Sequence, residues 1–191
     1  MMEFTVLKTR FLVSPLFFSV LTAFLILDEN KIACVTILFS LLHETGHILA
    51  LLSLKIHPKR ISVNVFGMNI ELDGGLSTAE KCFVFASGFT VNLILSVLFF
   101  IGENQLFGFI NFIIGIFTAL PLPSTDGGSI LKTILDELIP QKSEKVFKII
   151  AIVFAAIISI LIIFIFVFTG NYFVFIALIY IFICIKKLPP N

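Results

Sequence analysis

The chain has 191 residues, of which 59% are hydrophobic and 24 are Phe, and its mean hydropathy is +1.13. Only 13% are charged and the net charge is +1, which excludes an ordinary soluble domain and leaves no basic footprint for nucleic acid. Cys34, Cys82 and Cys184 lie far apart in apolar runs, so they form neither a disulfide framework nor a cysteine metal motif.

The chain is therefore counted in membrane spans, each needing about 20 apolar residues. Apolar runs occupy Phe11–Leu27, Ile32–Leu54, Cys82–Ile101, Phe107–Leu122 and Val146–Ile185. The last is long enough for two passes and is interrupted at Thr169-Gly170-Asn171, so six helices are expected. The first run follows Lys8 and Arg10 but has no small-residue cleavage site, which predicts an uncleaved helix. With the N-terminus in the cytoplasm, six spans leave Lys31 as the one outer-side residue among the 13 Lys and Arg. That bias predicts an integral membrane protein with both termini cytoplasmic.

Two segments on the inner side are not spans. Ile61–Val65 and Met68–Leu72 alternate apolar and polar residues around Gly67, predicting a β-hairpin. Gly128–Ile139 places Ile130, Leu131, Ile134, Leu135 and Leu138 on one face, predicting an amphipathic helix at the membrane surface. Ser77-Thr78-Ala79-Glu80 matches a capping box at the start of the third membrane helix. The fold class expected is an all-α polytopic membrane protein with a small β-hairpin and an interfacial helix. Residues 1–191 are read as a single domain with its core in about 32–139.

The second span carries the chemistry. Its sequence includes Leu42-His43-Glu44-Thr45-Gly46-His47. Residues four apart share a helix face, so His43 and His47 can bind one zinc ion, with Glu44 between them as general base toward a metal-activated water. Chance occurrence on a soluble surface is a poor account, because ionisable groups inside a membrane span are costly and usually functional. Gly46 lets a neighbouring helix come close.

A catalytic zinc usually takes a third protein ligand. Asp28, Glu29 and Glu103 fall on the outer side, and His57 sits among Lys55, Lys59 and Arg60 as a surface residue. Two Asp-Gly-Gly triplets remain, at Asp73 and Asp126. Asp73 closes the predicted hairpin, where a turn aspartate suffices. Asp126 follows Leu120-Pro121-Leu122-Pro123, an extended stretch at membrane depth that must be buried or line a polar cavity. Asp126 either ligates the metal or caps the following helix, and its position favours the ligand.

Together these elements resemble the site-2 protease family of zinc intramembrane metalloproteases. Leu42–His47 matches the family's apolar-H-E-x-G-H, and Ala86–Asn92 is like its A-x-G-x-x-x-N. Leu120–Gly128 is like its N-x-x-P…D-G. The resemblance implies one Zn²⁺ per chain held by His43, His47 and Asp126, with Glu44 as catalytic base. It implies cleavage of membrane-associated or single-span proteins, including pro-proteins, near the cytoplasmic leaflet. Within the family, the chain's extent resembles the short bacterial branch that processes a sporulation sigma factor, which implies a bacterial cell membrane. Thr118 and Ser124 stand where the family usually has Asn and Pro, a region tied to substrate handling. The alternative is a catalytically inactive relative that binds zinc or substrate only. Asn92 matches the family, and an interhelical hydrogen bond accounts for it equally well.

Overall fold

The computed structural model describes residues 2–6, 9–15, 19, 22, 26, 32–56, 58–64, 67–72, 75–170, 174–186 and 188. They form two compact units, Met1–Phe117 and Thr118–Asn191.

Among the described residues, the first unit holds a four-stranded sheet and three continuous helices. The strands are β1 (Met2–Val6), β2 (Thr9–Val13), β3 (Pro58–Asn64) and β4 (Gly67–Leu72), adjacent in that order. β1 and β2 pair antiparallel, β2 and β3 parallel, and β3 and β4 antiparallel. The sheet departs from the expected all-α class in two respects. Phe11–Val13, read as the start of a membrane span, lie in β2, because hydropathy does not distinguish a short apolar strand from a helix. The alternation Glu3-Phe4-Thr5-Val6 that precedes them is the period-2 signal of a strand. Gly67, expected at the turn, instead pairs with Asn64 at the end of the ladder. Val65, His57 and Asp73 lie outside the described residues. Of the expected first span after β2, Ser14 is irregular, Pro15, Ser19, Thr22 and Ile26 are helical, and the remaining residues to Leu27 lie outside the described ones.

Helices α1 (Ile32–Ser53) and α2 (Thr78–Ile101) are both long and apolar enough to cross a membrane. They run antiparallel. Passing up α1 through Phe39, His43 and His47, the partners pass down α2 through Phe99, Asn92 and Val84. α2 opens with the expected capping box, in which the Ser77 hydroxyl accepts from the Glu80 backbone and the Glu80 carboxylate accepts from the Ser77 N–H. A short turn leads to α3 (Gln105–Thr118), where the Asn104 side chain accepts from Phe107 N. Phe39, Phe99 and Phe107 meet edge-to-face at 5.4–5.5 Å between centroids and tie the three helices at one end. α3 is apolar but shorter than a full span, because it ends at Thr118 rather than reaching the expected Leu122.

The second unit holds α4 (Asp126–Leu138), α5 (Ser143–Thr169) and α6 (Val174–Lys186). α5 is the third helix able to span a membrane. It stops where the sequence is interrupted, at Gly170, whose φ of 64° only glycine adopts readily and whose N–H bonds Phe166 O. α4 begins two residues before the expected amphipathic helix. Its Lys132 ammonium lies 2.7 Å from Asp136 and 2.9 Å from Ser143, and the Ser143 hydroxyl bonds Asp136, so the start of α5 is tied to α4. Leu122, fully buried, packs with Ala155 and Ile162 of α5 and Ile181 of α6. The proline-flanked segment before α4 is thereby anchored on its own unit.

Ser124 in that segment has φ 70°. Proline is locked near −65°. The serine therefore accompanies a backbone conformation that the family's usual proline cannot take. Ser124→Pro is expected to lower the thermal midpoint of the detergent-solubilised protein, whereas Ser124→Gly keeps or raises it.

Candidate active site

His43 and His47 lie one turn apart on the face of α1 that packs on α2, each only 6% exposed. Each ring is held by its Nδ1. The His47 Nδ1–H donates to Val84 O at 2.7 Å, and the His43 Nδ1–H donates to Asn92 Oδ1 at 2.8 Å. The tautomers follow from the partners. A backbone carbonyl only accepts. Asn92 must present its oxygen to His43, because its amide nitrogen donates to Phe39 O and Asn111 Oδ1. With both protons on Nδ1, both Nε2 atoms carry lone pairs, and these two atoms face each other at 3.3 Å.

Two facing lone pairs repel, so the pair calls for a cation between them, either a proton or a metal. Ligand atoms about 2.0–2.1 Å from a tetrahedral zinc lie about 3.3 Å from one another. The imidazole pair therefore fits zinc in donor type and spacing. A hydrogen bond from the rear nitrogen to an amide or carbonyl oxygen is the usual way a ligating imidazole is oriented. Glu44, next to His43, is half-buried.

α2 leaves room for the rings at Gly88. A Cβ there would lie 2.4 Å from His47 Nε2 and 2.7 Å from His43 Nε2. Gly88 and Asn92 are the glycine and asparagine of Ala86–Asn92, so one stretch of α2 clears space for both rings and orients one of them. Gly46 on α1 likewise meets Ser87 O, where a Cβ would lie at 2.8 Å.

In the second unit, Asp126 opens α4, but the cap is its neighbour. Thr125 Oγ accepts from Gly128 N at 3.2 Å, and Thr125 is buried. The same hydroxyl lies 2.8 Å from Leu122 O. The expected alternative of Asp126 as helix cap is thereby corrected: a threonine one position earlier does that work. Gly127 and Gly128 are required by close approach. Added Cβ atoms would lie 1.9 Å from Ala119 O and 1.8 Å from Leu122 O. Gly75, from the look-alike triplet, has nothing within 4 Å, and Asp73 and Gly74 lie outside the described residues.

A family model for peptidase family M50 matches residues 103–162, the segment that carries Asp126. Over that segment the chain is similar to peptidase family M50, the site-2 protease family. The site-2 protease from Methanocaldococcus jannaschii shares its fold, with a TM-score of 0.68 at 17% identity, covering 100% of this chain and 95% of that one. No curated protein sequence matches the chain. Among the described residues, three helices are long and apolar enough to cross a bilayer. The family match begins after the histidine helix, so His43, Glu44 and His47 rest on their own geometry.

Gly88→Ala is expected to displace the imidazoles and lower zinc affinity by about 10-fold or more, on the scale of lost ligand orientation. Gly75→Ala, placed in open space, is expected to leave it unchanged. Chelator competition on the purified proteins measures both.

Proposed function

We propose that the chain is a zinc-dependent intramembrane endopeptidase that cleaves membrane-associated or single-span proteins near the cytoplasmic leaflet. The observation that carries this reading is the pair of oriented imidazoles whose Nε2 atoms converge inside an apolar helix. His43, His47 and Asp126 would hold the metal. Thr125 supports this, because its hydroxyl takes the cap and leaves the Asp126 carboxylate out of that role.

When bound, zinc supplies Lewis acidity, activating water and polarising the scissile carbonyl. The chain's residues do the rest. Glu44 is the general base: it takes the proton of the attacking water and delivers it to the leaving amine. Asn92 and the Val84 carbonyl hold the imidazoles in the ligating tautomer. The surrounding helices limit water to the site. The positive-inside bias supports cytoplasmic termini, and the resemblance to the short branch supports a bacterial cell membrane. A substrate helix must unwind before its carbonyl is accessible, because its backbone is hydrogen-bonded within the bilayer. The non-proline backbone at Ser124 and the hydroxyl of Thr118 bear on which segments are accepted.

Purified Glu44→Gln is expected to keep about one zinc per chain and to lose cleavage of single-span substrates by about 10²–10⁴-fold. Cleavage equal to wild type would remove the mechanism. Asp126→Ala is expected to weaken zinc binding by at least about 100-fold, beyond what loss of an outer partner costs. Undiminished zinc would remove Asp126 from the ligand set.

A further inference from the structure

Asn111 belongs to none of the elements that carry the family resemblance. It lies in the middle of α3, fully buried in an apolar helix. A buried amide must have its hydrogen bonds satisfied, and Asn111 spends them in a directed way. Its Nδ2 donates to Phe107 O at 2.9 Å, and its Oδ1 accepts from Asn92 Nδ2 at 3.0 Å. Asn92, also fully buried, gives its other amide proton to Phe39 O at 3.3 Å and turns its oxygen to His43 Nδ1.

Each link determines the next. The Phe107 carbonyl accepts only, so Asn111 must point its nitrogen there and its oxygen at Asn92. Asn92 must then point its nitrogen at Asn111 and its oxygen at His43. If the Asn92 amide were turned over, its oxygen would face Phe39 O and Asn111 Oδ1, and its nitrogen would face the histidine. His43 would then carry its proton on Nε2 and lose the lone pair that faces His47.

We propose that Asn111 is a positioning residue of the metal centre, which sets the His43 tautomer from α3 through Asn92. The inference rests on the metal reading above and adds to it a third helix that controls the site without touching it. All members of the relay lie in the first unit. Phe39 O supplies one of the two acceptors that orient Asn92, at the longer distance, so loss of Asn111 weakens the orientation without abolishing it.

The test uses the full chain in detergent with wild type, Asn111→Leu and Asn111→Asp. Leucine fills the space and removes the acceptor; a neutral aspartic acid keeps one acceptor and one donor. Two quantities are read: Zn²⁺ affinity by chelator competition, and the His43 tautomer of the metal-free protein by ¹⁵N imidazole NMR. Asn111→Leu is expected to lose about 10–100-fold in affinity and to show a mixture of His43 tautomers. Asn111→Asp is expected to stay within a few-fold of wild type and keep the Nδ1–H form. A merely structural asparagine would lower the melting temperature while leaving both readouts at wild-type values, and that result would overturn the proposal. Should Asn111→Leu fail to fold, Asn111→Ser, smaller and too short to reach Asn92, carries the same two expectations. Failure of wild type to bind zinc would instead sink the metal reading, and the metal-free tautomer would still decide the role of Asn111.

Discussion

The structure turns on two imidazole nitrogens held 3.3 Å apart with their lone pairs facing. Left alone, that arrangement is repulsive, in surroundings where charge is poorly screened. The protein nevertheless fixes it from behind. A backbone carbonyl holds one ring and an asparagine holds the other, and the oxygen of each is itself committed in orientation. Such a pair suits a cation, either a proton or a metal ion.

Much of the first unit serves this pair. The antiparallel approach of α1 and α2 sets Asn92 beside His43 and Val84 beside His47. Gly88 keeps the space in front of both rings clear. The aromatic cluster of Phe39, Phe99 and Phe107 pins the three helices, and Phe39 and Phe107 also lend their carbonyls to the asparagines. One residue pair thus links helix packing to ligand orientation. The second unit is organised around its own constraint. Leu122 anchors the proline-flanked segment on α5 and α6, and Gly127 and Gly128 let the carbonyls of that segment lie against the first turn of α4.

What could be read from the sequence was local. The four-residue spacing of His43 and His47 holds for any helix, the Ser77–Glu80 box is contained in four residues, and Gly170 marks the end of α5 by itself. What escaped depended on distance along the chain or on near-equivalent neighbours. Asn111 looks like any polar residue in an apolar helix until its partner 19 residues earlier is known. Thr125 and Asp126 are both good caps, and only the backbone chooses between them. Hydropathy ran the first span through Phe11–Val13, where pairing with β1 and β3 makes a strand. The two Asp-Gly-Gly triplets are identical as text, but Gly127 and Gly128 press against carbonyls while Gly75 faces open space. Their difference lies in what the rest of the chain brings near them.

The most direct measurement is zinc-edge X-ray absorption on the purified, active-site-intact chain. The account predicts a four-coordinate first shell of nitrogen and oxygen at about 2.0–2.2 Å, with the outer-shell pattern of two imidazoles. A shell containing sulfur at about 2.3 Å, or zinc without the imidazole pattern, would contradict it.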